Sequence, residues 1–388
     1  MNVAIVVYSH YSRDARVRRY TELLARKGHK INCICLAEHY KPKKKNISLT
    51  QYPIPRIRAG KFWYILEYLL FFLFSSIVLT FNFLIKKYKI IHINNMPDIL
   101  VFSALIPKIF GAKIILDMHD PMPELYMSKY NTNENNMAVK ILKIFEKISF
   151  AFADSILTAN EAFKSIFLNR NPNIAGKINI ILNCPDSAIF HPSLKKKIDK
   201  YFTLFYMGTI EKRFGLDIAF EAVAKLINKI PDLRFIIVPK LENEGEYFKS
   251  LKDKIRRLSI SPYVEISNPM PLEDIAKKLE EADVGIVLAK NGIFTDNIFP
   301  VKLLEFIQMN IPVIATKTKI LARYFTINQI YFLQQNTSEE LTKAVVKLYR
   351  DNKLLTKYGI NAKKYLRNYN WPKEKGKYLK IIETVILH

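Results

Sequence analysis

At 388 residues the chain has room for two domains of ordinary size, each with its own core. A hydrophobic fraction of 49%, without repeats or low-complexity stretches, excludes an intrinsically disordered protein. A formal net charge of +25, from 60 basic and 35 acidic side chains, points to nucleic acid, anionic lipid or a phosphate-bearing substrate as partner.

The opening MNVAIVVYSH reads as a first strand over residues 3–8; it has no basic segment ahead of its apolar run and is too short for an export signal. In YSHYSRDARVRR, which follows the strand, Asp14 suits the N-cap of a helix. Arg13, Arg16 and Arg19 cluster at that helix's first turns, either to bind an anionic group or as a solvated basic face. Cys33 and Cys35 alternate within a second strand, 31–36, where a disulfide between them is implausible. With Cys184 they read as reduced core thiols, which leads us to expect a cytosolic protein.

Residues 63–85, WYILEYLLFFLFSSIVLTFNFLI, are long enough to span a bilayer. They contain Glu67 and Asn82 and lie between strands of one sheet, so a span would split the first domain. The preferred reading is an interfacial helix, partly buried and partly open to lipid, with Lys86 and Lys87 at its end for anionic headgroups; a buried core helix and a true span are the alternatives. The basic clusters at 13–19, 41–45, 86–89 and 195–200 favour a membrane surface over a nucleic-acid groove.

Further short apolar runs at 90–93, 113–118, 155–158 and 178–182 alternate with helical segments, which is βαβ wiring and implies a mostly parallel sheet. After the charged link 195–200 the pattern restarts, with strands predicted at 203–207, 234–238, 264–267, 284–288, 313–315 and 330–333. Two doubly wound α/β domains in tandem, 1–190 and 200–371, are the economical interpretation, with a cleft between them for a ligand. Tyr378, Ile381, Ile382 and Val385 recur at helical spacing, so 372–388 reads as a last helix returning to the first domain.

Three stretches could carry chemistry. His119 follows the strand 113–118, and a residue at the carboxyl end of a parallel strand faces the crevice where such folds bind ligands; Asp120 and Glu124 are nearby carboxylates. In YMGTIEKRFGLD, Gly208 and Gly215 allow close backbone approach, while Lys212 and Arg213 sit where an anionic ligand would lie. In DNIFPVKLLEFIQMNIPVIAT, Pro300 suits a first helical position and Asn310 a left-handed C-terminus. Lys302 and Glu305 share one face of that helix beside its unpaired N–H groups. Those N–H groups and the lysine suit phosphate, and a carboxylate can accept both hydroxyls of a ribose; a solvated ion pair on an ordinary helix is the alternative. With only 11 glycines the chain has no G-x-G-x-x-G, which argues against a nicotinamide or flavin cofactor, and no H-x-x-x-H, C-x-x-C or D-x-D spacing suggests a metal.

The order D-x-R-V-x-R (Asp14, Arg16, Val17, Arg19), D-x-H-D-x-x-P-E (Asp117 to Glu124), Y-x-G-T-x-x-x-R-x-G-L-D (Tyr206 to Asp217) and P-x-K-x-x-E before PVIAT (Pro300 to Thr316) resembles the retaining family-four glycosyltransferases, also known as glycosyl transferases group 1. The resemblance implies the GT-B fold, two Rossmann-like doubly wound domains facing a central cleft. It also implies metal-independent, retaining transfer from a UDP- or GDP-sugar, with the nucleotide on the second domain and the acceptor largely on the first. By that likeness Glu305 holds the donor ribose, Lys302 and Arg213 lie beside the diphosphate, and His119 lies near the transferred sugar. Arg16, Asp120, Gly208, Thr209, Asn297, Pro300 and Val301 complete the expected substrate contacts. The chain departs from the family at Asn297, where many members carry Glu, and at Thr209 and Phe214, where many carry Arg and Lys. A lipid-linked or polysaccharide acceptor, met by loops such as 41–60 and 127–136 at the inner face of the cell membrane, completes the expectation; no cofactor, metal or nucleic acid is called for. A nucleotide-sugar epimerase of the same fold and a non-enzymatic basic membrane-surface protein are the rival readings.

Overall fold

A computed structural model describes residues 1–54, 61–192, 200–240 and 246–387. Most of the expected link 195–200, and the end of the 41–60 loop, lie outside the described residues. The chain forms two compact units, Met1–Asn183 with Pro372–His388, and Cys184–Trp371. Residues 184–190 therefore go with the second unit.

The first unit is built on a seven-stranded sheet in the order β3-β2-β1-β4-β5-β6-β7, with every pair parallel. Its strands are β1 (Asn2–Val6), β2 (Lys30–Leu36), β3 (Ile47–Tyr52), β4 (Ile90–Asn94), β5 (Lys113–Met118), β6 (Ser155–Thr158) and β7 (Ile178–Ile180). The inner strands are almost wholly buried and rich in Ile, Val and Leu because helices cover both faces of a parallel sheet. Edge strand β3, ISLTQY, lies inside the stretch expected to be a loop. It is mostly polar and half-exposed, so it lacks the apolar run that marks the other strands. Asp14 caps the helix Ala15–Arg26 by accepting from the Val17 N–H at 3.1 Å, as the residue types suggested.

The 26-residue helix Lys61–Lys86 buries Glu67, Phe71, Ser75 and Leu79 and turns Ile65, Leu69, Ile77, Phe81 and Ile85 to solvent. The inward Glu67 accepts a hydrogen bond from the Tyr8 hydroxyl at 3.0 Å. Segment 98–109 packs against this helix and leaves Ile106 and Ile109 exposed, as the next layer, Met137–Phe152, leaves Met137, Ile141, Ile144 and Ile148.

In the second unit six parallel strands lie in the order β10-β9-β8-β11-β12-β13. They are β8 (Phe202–Gly208), β9 (Leu233–Pro239), β10 (Val264–Ile266), β11 (Val284–Val287), β12 (Val313–Thr316) and β13 (Tyr331–Leu333). The sheet reverses its winding between β8 and β11, and loops leaving the carboxyl ends of strands on either side of such a reversal form the ligand crevice of doubly wound sheets. The helix Val301–Gln308 lies tight on the sheet, since a Cβ added at Gly285 in β11 would sit 2.6 Å from the Phe306 ring. Asn310 takes the left-handed conformation, φ 61°, that stops this helix and sends the chain into β12.

The last helix, Trp371–Leu387, closes back on the first unit. Tyr378 is fully buried, stacks on Tyr20 at 4.2 Å and meets His92 Nδ1 through its hydroxyl at 2.9 Å, while Glu374 accepts from the Leu182 N–H at 2.9 Å.

Candidate active site

Lys302 organises the crevice of the second unit. Its side chain crosses from the first turn of the Val301–Gln308 helix to the carboxyl end of β8, where its Nζ would lie 3.7 Å from a Cβ at Gly208, a position with φ +117°. The ammonium sits 4.1 Å from the Tyr206 ring centroid and 5.2 Å from that of Phe214, and has no hydrogen-bond partner among the described residues. Cation–π attraction offsets only part of the lost hydration, so burial pushes the Lys302 ammonium down to about 7.

Arg213 lies 5.0 Å from the same Phe214 ring and 5.3 Å from Phe294. Its Nη1 pairs with Glu211 at 2.5 Å, and its buried Nε has no partner among the described residues. The Arg213 carbonyl accepts from the Lys290 N–H at 2.7 Å, which ties the loop after β8 to the loop after β11. Between them Lys302 and Arg213 bring two cations to one aromatic ring. Beside them the N–H groups of Val301 and Lys302 make no hydrogen bond to any described residue, so the helix N-terminus adds oriented donors. Pro300 stands at the N-cap, one position earlier than expected. Thr209 gives its carbonyl to the Tyr206 hydroxyl at 2.6 Å, and Asn297 donates its side-chain amide to the Ile293 carbonyl at 2.7 Å; both positions hold backbone in the crevice loops.

A second cluster lies at the carboxyl ends of β1, β4 and β5 in the first unit. Asp117, fully buried, accepts from Arg16 Nε at 2.7 Å and Nη2 at 2.8 Å. The Arg16 guanidinium beside it holds the Asp117 carboxyl well below the usual carboxylate range despite its burial, and Arg16 in turn is held charged. His119 Nε2 lies 3.1 Å from Asn94 Oδ1 and 3.6 Å from Asp117, its N–H donates to Asn95 Oδ1 at 2.7 Å, and its side chain is 21% exposed. Among the described residues no three His, Cys, Asp or Glu side chains converge as a metal site.

Residues 190–365 match the family described as glycosyl transferases group 1. The second unit is a group 1 glycosyltransferase domain. Chitobiosyldiphosphodolichol beta-mannosyltransferase of Candida albicans is 24% identical over 278 residues, 66% of this chain and 59% of the yeast protein, so the match spans less than two thirds of that relative. Sucrose-phosphate synthase of Thermosynechococcus elongatus shares the fold with a TM-score of 0.77 at 14% identity, over 100% of this chain and 99% of that one. Anabaena HepE, solved in complex with UDP and glucose, does so with a TM-score of 0.73 at 14% identity over 99% of each chain. The fold is GT-B, with two Rossmann-like units.

Three expectations are corrected within this glycosyltransferase fold. Arg16 is 4% exposed, and Asp117, the Ile181 carbonyl at 2.6 Å and Asn183 occupy its guanidinium, so it builds the first unit where a substrate contact was expected. Glu124 is buried and paired with Arg170, which also pairs with Glu146, and does not accompany His119. Glu305, for which a solvated ion pair with Lys302 was the alternative reading, is only 9% exposed because its helix is pressed onto β11. The residues to which sequence reasoning gave no role, Tyr206, Phe214 and Asn94, are aromatic or neutral side chains whose importance comes from the groups packed against them; the place of Tyr206 at the head of its motif and the departure at Phe214 were the signals.

Proposed function

We propose that this glycosyltransferase moves a sugar from a UDP- or GDP-sugar to a lipid-linked or polysaccharide acceptor in cell-surface glycan synthesis, with retention and without a metal. The observation that carries the reading is the Lys302 ammonium, stripped of partners among the described residues beside free helix N–H groups and Arg213. Among the described residues such a group has only the longer-range charge of Glu305 and no hydrogen-bonded anion, and a diphosphate supplies one. As the bond to the diphosphate breaks, negative charge grows on its oxygens, and fixed cations and N–H dipoles stabilise that charge without having to reorganise. The leaving oxygen then takes the acceptor's proton in a front-face attack. HepE was solved with UDP and glucose, which favours a nucleotide-sugar donor here.

Calorimetry with UDP, GDP and their sugars tests the donor. Incubation of a UDP-sugar without acceptor separates transfer from epimerisation, because only an epimerase converts the donor alone. The metal-free reading rests on the likeness of the motifs and on the cations at the site, Lys302 and Arg213, as the source of positive charge at the diphosphate. Activity should therefore persist in EDTA, and complete loss restored by Mn²⁺ or Mg²⁺ would overturn it. The retaining course rests on the likeness of the motifs, whereas the Candida relative is named for β-mannosyl transfer. The anomeric configuration of the product, read by NMR, decides it.

Glu305→Gln should lower turnover by about 10- to 100-fold, the effect of removing a charged hydrogen-bonding partner worth roughly 1.5–3 kcal/mol. Gln keeps the shape of the buried side chain, so the melting temperature should hold; Ala would mix lost binding with a cavity. Unchanged turnover would remove Glu305 from the ribose site.

The exposed apolar row of Lys61–Lys86, ending in Lys86 and the exposed Lys87, supports attachment to the inner face of a membrane without crossing it. The helix is long and apolar enough to span a bilayer, but one face packs into the first unit around Glu67. Each basic residue near an anionic surface adds roughly 1 kcal/mol, so sedimentation with anionic liposomes should fall as salt rises toward molar concentration. Retention through high salt and alkaline carbonate would mean a spanning helix, and no binding at any salt would mean neither.

A further inference from the structure

The cluster around His119 contains more chemical information than its distances alone. Asn94 is fully buried at the carboxyl end of β4, and its side-chain nitrogen lies 3.1 Å from the Val6 carbonyl. A carbonyl only accepts, so that contact orients the carboxamide: Nδ2 faces Val6 and Oδ1 faces His119. Oδ1 also only accepts, and it lies 3.1 Å from His119 Nε2. The proton of a neutral imidazole must then sit on Nε2. Asp117 Oδ2, 3.6 Å from the same nitrogen and paired with Arg16, is a second acceptor and favours the same proton position; His92 Nε2 approaches Asp117 Oδ2 from the other side, also at 3.6 Å. The His119 backbone is held independently, by its N–H to Asn95 Oδ1 at 2.7 Å, while Asn95 Nδ2 donates to the Asp120 carbonyl at 3.0 Å. His119 Nδ1 is left without a partner among the described residues, on a ring that is partly exposed.

We infer that Asn94 is a positioning residue that locks neutral His119 in its Nε2-protonated tautomer, so that Nδ1 meets the ligand as a hydrogen-bond acceptor and takes a hydroxyl group. A bare ring nitrogen repels an oxyanion and welcomes an O–H donor, so His119 reads a sugar hydroxyl and not a phosphate. Only the identity of that hydroxyl, as part of the donor sugar, rests on the function proposed above; the tautomer is a property of the free protein.

The test is ¹⁵N NMR of the full chain with labelled histidines, recorded above the titration range of imidazole. The chain has seven histidines, and the His119 signals are assigned by their loss in His119→Gln. We expect a protonated, pyrrole-type Nε2 and a bare, pyridine-type Nδ1 in the wild type. In Asn94→Ala, folded as judged by its amide spectrum, the two nitrogens should move toward averaged values. A protonated Nδ1, or an even mixture in the wild type, overturns the inference. An unchanged spectrum in Asn94→Ala removes Asn94 from the role and leaves Asp117 as the lock. Asn94→Ser, smaller and still polar, is the second variant if Ala does not fold, with the same two outcomes. Failure of UDP-sugar binding in calorimetry would strike the proposed function and leave this measurement standing.

Discussion

Asp117→Ala should lower the melting temperature of the first unit by on the order of 10 °C, because breaking a buried ion pair costs about 3–5 kcal/mol and each kcal/mol shifts a unit of this size by a few degrees. The substitution removes both acceptors of the Arg16 fork, contacts of 2.7 and 2.8 Å, and leaves a 4%-exposed guanidinium with the Ile181 carbonyl and Asn183. The pH dependence has a definite sign. The folded Asp117 carboxyl lies below its unfolded value, so its contribution is fully present above the unfolded value near 4 and is lost only as pH falls through the lower, folded one. Wild type and Asp117→Ala should thus differ by a constant amount from neutral pH down to about 5 and converge only in stronger acid. A loss of stability under about 1 kcal/mol would show that the pair is dispensable.

Lys302→Ala should weaken UDP binding by about 10- to 100-fold while leaving uridine nearly unaffected, since removing a charged hydrogen-bond donor costs roughly 1.5–3 kcal/mol at a site that only the diphosphate meets. In the wild type the ammonium is already depressed to about 7, and a bound diphosphate favours its charged form. Binding must therefore take up a proton once pH exceeds that value. Affinity should fall by up to about tenfold per pH unit above neutrality, and Lys302→Arg, which stays charged, should lose that slope. Equal losses for UDP and uridine, or a flat pH profile in the wild type, would refute the phosphate role. The lysine's own folding contribution runs in the opposite direction: a depressed lysine costs stability at and below neutral pH, and that cost is relieved as pH rises toward its unfolded value.

Hydrophobic period and helix-end chemistry are local, and the chain wrote them clearly. Strands β5 and β6 lie where their apolar runs predicted, Asp14 caps its helix, and Asn310 ends another with φ 61°. Strand β3 was illegible because an edge strand has one neighbour and needs no apolar run; only its pairing with β2, Ile31 opposite Ile47 through Leu36 opposite Tyr52, makes it a strand.

The same division holds at the site. Composition, spacing and the P-V-K-L-L-E run by themselves determined that this is a basic, two-domain α/β chain and which loops would carry its chemistry, because side-chain type and helical period survive without coordinates. Tertiary structure decided what each charged group faces. Arg16 and Lys302 are both basic residues in a first helical turn; the fold buries one against Asp117 and leaves the other over Tyr206 and Phe214 with no hydrogen-bonded anion among the described residues. A charge inside a protein is defined by the group that compensates it, and that group lies 101 residues away for Arg16. Lys302 faces rings 96 and 88 residues earlier in the chain, distances over which only folding, and no local pattern, brings residues together.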